Sequence, residues 1–131
     1  MTEMHTGRCL CGEVRFGVRG RLRDLIACHC GQCRRQTGLY YAATNVSDDA
    51  LEISEDGALK WFKSSDTARR GFCSNCGSAL FWKRDGDGYT SILAGSLDEP
   101  TGLKISCHIY VADKGDFYEI ADGLPQFEHV M

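Results

Sequence analysis

The sequence has few of the features that would place the protein in a membrane or on nucleic acid. The longest unbroken apolar run in its 131 residues is only five residues long, at positions 39–43, whereas a transmembrane helix needs about 20 apolar residues. The start of the chain contains no apolar segment typical of a signal peptide. The net charge of −3 lacks the basic excess of a nucleic-acid-binding domain. We therefore predict a cytoplasmic protein without a membrane partner, and a nucleic-acid partner is not expected.

Proline is also scarce, with two residues against fifteen glycines, and no linker, repeat or low-complexity segment is visible. Most of the chain consists of short alternating or β-branched and aromatic runs typical of strands. These runs are at residues 13–20, 59–63, 78–83, 89–95 and 104–111. Residues 85–88 predict a hairpin turn, and only the turn after Cys30 and residues 47–52 look helical. These patterns predict an all-β fold in which two sheets pack in one domain.

Cysteine, in contrast, is abundant, and seven of the eight cysteines fall in three tight clusters. In a chain with no export signal, clustered cysteines indicate metal binding more than disulfides. A first pair, Cys9 and Cys11, would lie on the same side of a strand. A second pair, Cys73 and Cys76, has the spacing of a zinc-knuckle turn. The third cluster has three cysteines within six residues: Cys28, Cys30 and Cys33.

The two pairs together supply four sulfurs, and only this division leaves no cluster unused. We therefore predict a structural zinc at the four-cysteine cluster, which consists of Cys9, Cys11, Cys73 and Cys76. We predict a second, catalytic zinc at the three-cysteine cluster, which consists of Cys28, Cys30 and Cys33. Structural zinc sites have four protein ligands, whereas catalytic sites keep one position for water or substrate. The prediction is therefore two zinc ions per chain.

Four further residues near the clusters have two interpretations each. Cys107 could supply a fourth ligand to the three-cysteine cluster, but it alternates with apolar residues, so we favour a core position. His108, expected on the opposite strand face, could be an ordinary hydrogen-bonded histidine or an acid/base or orienting group. Arg34 and Arg35 could bind substrate carboxylates, although a solvated turn is the slightly favoured alternative. His29, which alternates away from the neighbouring sulfurs, is expected to be structural.

Four motifs, GRCLCGEVRF, CHCGQCRRQTG, FCSNCGSALF and DGLPQF, resemble in order and spacing the glutathione-dependent formaldehyde-activating family, which includes centromere-protein-V-like proteins. The resemblance runs over residues 7–127 and implies one domain, residues 1–131, with a small two-layer β-tent (Mss4-like) fold. It implies the same structural and catalytic zinc sites. The activity that it implies is that of a carbon–sulfur lyase that joins glutathione and formaldehyde as S-(hydroxymethyl)glutathione, a formaldehyde detoxification reaction. One departure is that Gly115, Asp116 and Phe117 stand where the family pattern leads us to expect a tryptophan.

From these patterns we predict a zinc-dependent carbon–sulfur lyase, which condenses glutathione or another small thiol with formaldehyde or a related electrophile. The alternative is a non-catalytic, zinc-stabilised β scaffold that binds a protein or nucleic-acid partner. Cys107 as a fourth metal ligand, or an exposed aromatic patch of Tyr40, Tyr41 and Trp61, would favour this alternative. The expected oligomeric state is a monomer or a weak homo-oligomer.

Overall fold

The structure, a computed structural model, describes residues 3–131, and these residues form mainly β-strands in two sheets. The predicted all-β fold is therefore confirmed. In chain order the strands are β1 (Met4–Arg8), β2 (Arg15–Arg19), β3 (Leu25–Cys28), β4 (Tyr41–Ser47), β5 (Leu51–Glu55), β6 (Leu59–Lys63), β7 (Ala68–Cys73), β8 (Ala79–Arg84), β9 (Tyr89–Leu93) and β10 (Ile105–Ile109). The α-helix is α1 (Gly31–Thr37). Among residues 3–131, no helix has the length and apolar character needed to cross a bilayer.

The chain divides into two compact units. The first comprises the chain up to residue 23 together with residues 44–102, and the second comprises residues 24–43 and 103–131. β4 begins in the second unit and continues into the first. The prediction of a single domain over residues 1–131 stays a prediction.

The first unit contains antiparallel strands on both sides of an aromatic core. β1, β2 and β5 pair in that order, and β6 to β9 pair consecutively as a meander. The Phe16 ring meets the Phe81 ring edge-on, with 5.2 Å between centroids, and Trp61 stacks on Phe81 with 6.0 Å between centroids. The predicted turn at residues 85–88 joins β8 to β9, and Gly86 and Gly88 adopt the positive φ angles that tight turns require.

The second unit contains β3, which pairs with β10 in parallel and with the start of β4 in antiparallel orientation. α1 begins directly after Cys30 and ends at Gly38, whose left-handed backbone (φ 89°) stops the helix. The C-terminal segment runs alongside β10, where His108 N donates to Pro125 O and Phe127 N donates to His108 O. This unit therefore brings β10 and the C-terminal segment, which are distant in the sequence, close to the three-cysteine cluster.

Two local predictions are wrong in part. Residues 47–52 form one 3-10 turn at Asp48–Ala50, and β5 starts immediately at Leu51. The strand predicted at 104–111 ends at Ile109, because Tyr110 has a left-handed backbone (φ 55°) that interrupts an extended run. A register irregularity lies between Ile105 and Cys107, and the register is regular from Cys107 to Ile109. Cys107 and His108 are both buried, so both faces of this part of β10 are covered.

Candidate metal centres

The four-cysteine cluster lies within the first unit, between two turns. Cys9 and Cys11 lie just after β1, in a turn instead of the expected strand, while Cys73 ends β7 and Cys76 follows in the next turn. The four Sγ atoms lie within 4.8 Å of one another, with Cys9 and Cys11 3.6 Å apart and Cys11 and Cys73 3.7 Å apart. A tetrahedral zinc with Zn–S bonds of about 2.3 Å would separate its sulfurs by roughly 3.8 Å. The geometry therefore fits a four-coordinate metal.

Hydrogen bonds to these sulfurs also favour thiolates. The backbone N–H groups of Val14 and Cys76 donate to the Sγ atoms of Cys9 and Cys73, at 3.3 and 3.4 Å. The hydrogen bond with the Ser78 hydroxyl, followed by backbone hydrogen bonds, lowers the pKa of Cys76 to about 5. Burial, in contrast, raises the pKa of Cys73 to about 11. A bound cation would offset that cost and hold all four sulfurs ionised.

The three-cysteine cluster lies within the second unit, where β3 leads into α1. Cys28 is the last residue of β3, Cys30 is the N-cap of α1, and Cys33 is buried in the first turn of the helix. The Cys33 backbone N–H donates to the Cys30 sulfur, as helix N-caps require. This capping bond brings the two sulfurs to 3.1 Å, and all three Sγ atoms lie within 4.8 Å of one another.

The three close sulfurs of this cluster disfavour one another's ionisation when no cation is bound. Hydrogen bonding to Cys30 and then to Cys33, followed by burial, raises the pKa of Cys28. Three adjacent sulfurs cannot all lose their protons unless a cation compensates their charge. Within the part of the chain that the structure describes, no fourth Cys, His, Asp or Glu joins the three sulfurs. The cluster therefore offers a metal three protein ligands.

Cys107 and His108 both lie outside the three-cysteine cluster. Cys107 is buried, with its Sγ 3.6 Å from Met131 Sδ. Both ring nitrogens of His108 have protein partners: Nδ1 is 2.9 Å from His29 Nε2, and Nε2 is 2.7 Å from Asp122 Oδ2. A direct contact between His108 and a substrate would therefore require one of these bonds to break.

Arg34 and Arg35 both lie on α1, after Cys33. Arg34 is half-buried and Arg35 is exposed. The Arg34 Cδ lies 3.2 Å from the position that a Cβ on residue 115 would take, so Gly115 leaves room for the Arg34 side chain. Phe117, near the expected tryptophan position, is exposed. A role for the two arginines in substrate binding stays a prediction.

A hydrogen-bonded group that the sequence patterns did not identify lies beside the three-cysteine cluster. His29 contacts Tyr118 and His108, and His108 in turn contacts Asp122. The sequence signals miss this group because its members are far apart along the chain. His29 lies within the CHCGQCRRQTG motif, His108 within the strand predicted at 104–111 and Asp122 within the DGLPQF motif, but no local pattern connects them or includes Tyr118.

The exposed aromatic patch that would favour a scaffold protein does not form. Tyr41 is only 4% exposed, and Trp61 is half-buried against Phe81. Tyr40 is half-buried too and packs on the His29 imidazole, with 4.8 Å between ring centroids. These side chains pack inside their own units and do not form a broad exposed surface.

Comparison with known proteins gives a family match over most of the chain. The sequence profile described as "Glutathione-dependent formaldehyde-activating enzyme" matches residues 4–113. A Schizosaccharomyces pombe protein described as an uncharacterized lyase is 26% identical over 124 residues, which cover 94% of this chain and 90% of the relative. A Halomonas elongata protein, provisionally named a glutathione-dependent formaldehyde-activating enzyme, is 29% identical over 127 residues. This match covers 87% of this chain and 79% of the relative.

Among solved structures, the crystal structure of a Rhodobacter sphaeroides protein superposes with a TM-score of 0.60. The match covers 93% of this chain and 98% of the other, at 19% sequence identity. At this identity the similarity supports the fold alone. It agrees with the all-β architecture described above.

Proposed function

The chain belongs to the glutathione-dependent formaldehyde-activating enzyme family, and from that premise we propose that it is a zinc-dependent carbon–sulfur lyase. Its substrates would be glutathione or another small thiol, and formaldehyde or a related small electrophile. The provisional name of the Halomonas elongata relative and the lyase description of the Schizosaccharomyces pombe relative support this proposal. The observation that carries it is the separation of the cysteines into one cluster of four and one of three.

We assign the structural metal to the four-cysteine cluster and the catalytic metal to the three-cysteine cluster. Four sulfurs complete a tetrahedral site, so the first metal would add folding free energy and have no role with substrate. Zinc held by Cys28, Cys30 and Cys33 would supply a position for a further thiol and hold it deprotonated at neutral pH. The three cysteines themselves would hold the ion.

The reaction adds a thiol to a carbonyl group. A carbon–sulfur bond forms between the thiol sulfur and the aldehyde carbon, the carbonyl π bond breaks, and the oxygen takes the proton that the thiol gives up. The product carries a hydroxymethyl group on sulfur, and the reverse reaction is the lyase direction. Arg34 and Arg35, which follow Cys33 on α1, would bind the carboxylates of the thiol through bidentate hydrogen bonds.

The non-catalytic scaffold is less well supported. It would be favoured by Cys107 as a fourth ligand or by an exposed aromatic patch that included Tyr41. Cys107 lies outside the three-cysteine cluster, and Tyr41 is buried. The scaffold would therefore need a binding surface other than the one expected from the sequence.

The proposed function is tested with the substitution Cys30→Ser, and Cys107→Ser is the matched control. Glutathione and formaldehyde also combine without an enzyme, so the assay is the rate of exchange at equilibrium, measured by NMR with labelled formaldehyde. The zinc-loaded wild type and Cys107→Ser should exceed the uncatalysed rate. Cys30→Ser should fall to that rate while it keeps its fold and one metal equivalent.

A Cys30→Ser variant as active as the wild type would contradict the assignment of the site. Loss of both metals in that variant would contradict the separation into two independent sites. A wild type that does not exceed the uncatalysed rate with any small thiol would favour the scaffold.

A further inference from the structure

Four side chains in the second unit form a continuous hydrogen-bonded chain, which we name the Tyr118–Asp122 chain: Tyr118, His29, His108 and Asp122. Tyr118 Oη lies 2.5 Å from His29 Nδ1, His29 Nε2 lies 2.9 Å from His108 Nδ1, and His108 Nε2 lies 2.7 Å from Asp122 Oδ2. His29 is 1% exposed and His108 is 3% exposed. Breaking any of these bonds would leave a buried polar atom without a partner, so the chain holds both imidazoles in place.

Asp122 determines the direction of every bond in the chain. A carboxylate only accepts hydrogen bonds, so a proton lies on His108 Nε2, and in the neutral form of His108 the Nδ1 atom accepts from His29 Nε2. His29 Nδ1 is then left to accept from the Tyr118 hydroxyl. The backbone N–H of Leu124, followed by the His108 hydrogen bond, lowers the pKa of Asp122. Asp122 is therefore ionised at neutral pH, in agreement with this direction.

His29 connects the chain to the three-cysteine cluster because it lies between Cys28 and Cys30 in the sequence. β3 ends at Cys28 and α1 begins at Gly31, so residues 29 and 30 belong to neither element. The backbone N–H of His29 donates to Ile109 O at 3.0 Å. The imidazole supplies a second attachment for the same loop, through buried side chains.

We propose that the Tyr118–Asp122 chain positions the segment from Cys28 at the end of β3 to Cys30 at the start of α1, and thereby determines how firmly the three-cysteine cluster retains its metal. This inference rests on the metal site assigned above. His29, His108, Tyr118 and Asp122 are positioning residues, since they act on the ligands and need not contact the metal. A loop fixed before metal binding loses less conformational freedom when the metal binds.

The test uses the full-length, zinc-loaded protein and follows metal release to a chromogenic chelator. The wild type should release two equivalents in separable phases. Asp122→Ala removes the acceptor at one end of the chain, and Tyr118→Phe removes the hydroxyl at the other end while keeping the ring. Each should accelerate the release of one equivalent by about tenfold or more, since removing groups that support metal ligands typically lowers metal affinity by roughly 10–100-fold.

Two control variants separate positioning from packing and charge. Tyr40→Phe removes a hydroxyl from a ring that packs on the same imidazole but lies outside the chain. Asp116→Ala removes an exposed carboxylate from the same region of the sequence. Both controls should release their two equivalents at the wild-type rates. A general loss of stability would instead accelerate both phases and lower the Tm.

A double variant tests whether the two ends of the chain act together. Asp122→Ala and Tyr118→Phe interrupt one chain, so their combined effect on the release rate should be smaller than the product of the single effects. Wild-type release in both single variants, or equal acceleration of both equivalents, would overturn the inference and leave the metal site intact. A wild type that binds only one equivalent would overturn the proposed metal site and this inference with it.

Discussion

Removal of one sulfur from the four-cysteine cluster should cost the first unit most of its stability. Cys73 is 0% exposed, and its Sγ lies 3.7 Å from the Sγ of Cys11, 62 residues earlier in the chain. A structural zinc contributes about 10 kcal/mol or more of folding free energy, whereas the net stability of a domain is about 5–15 kcal/mol. Cys73→Ser should therefore abolish cooperative unfolding of this unit.

Cys107→Ser is the matched control, because it makes the same change at a buried cysteine (6% exposed) outside both clusters. Because Cys107 belongs to neither cluster, the change only replaces a buried thiol with a hydroxyl. It should cost about 1 kcal/mol, the size typical of a point substitution. The variant should keep the wild-type metal content. The difference between the two serine variants then isolates the contribution of the metal.

The assay is thermal unfolding followed by circular dichroism, with metal content measured on the same samples. Cys73→Ser should lack one metal equivalent and the cooperative transition assigned to the first unit. The reasoning is refuted if the two serine variants lose the same stability, or if Cys73→Ser keeps the wild-type metal content.

Two smaller effects follow from individual contacts in the first unit. A hydrogen bond from Lys83 lowers the pKa of Asp48 below its ordinary value of 3.8. The ionised Asp48 therefore stabilises the fold above about pH 4, and this contribution is lost as the pH falls through the lowered pKa. In urea unfolding, Asp48→Asn should cost about 1 kcal/mol at pH 7 and progressively less as the pH falls below about 4, unlike the exposed control Asp49→Asn. A Cβ on residue 7 would lie 2.3 Å from Phe16 Cζ, so Gly7→Ala should cost about 1–3 kcal/mol; an unchanged midpoint would contradict this.

Local patterns were sufficient to predict much of the fold. Residues 59–63 form β6 with the bounds that their aromatic and apolar residues indicate, and residues 85–88 form the expected turn. The turn after Cys30 becomes α1 because Cys30 caps the helix with its side chain. The cysteine clusters were also predictable, because each of the three groups at residues 9–11, 28–33 and 73–76 is closely spaced along the chain, and joining the two pairs in one site leaves no group unused.

The surroundings of the three-cysteine cluster could not be predicted in the same way. His29 lies 79 residues from His108 and 89 residues from Tyr118, so no periodicity relates them. The parallel pairing of β3 with β10 places His108 next to the segment that carries His29, and such a pairing between distant strands has no local sequence signal. The burial of His108 was not predictable from alternation, because alternation separates the two faces of a strand but does not show whether a second face is covered by other parts of the chain.

The most direct test of the central claim is the spectrum of the cobalt-substituted protein during titration with glutathione. The absorption spectrum of bound cobalt depends on the number of sulfurs that coordinate it. A three-cysteine site that accepts a thiol should therefore show a spectral change that saturates at one glutathione per chain. Cys30→Ser should remove this change, while the four-cysteine cluster should stay insensitive to the added thiol. A wild-type spectrum with two cobalt equivalents that glutathione leaves unchanged would contradict the account.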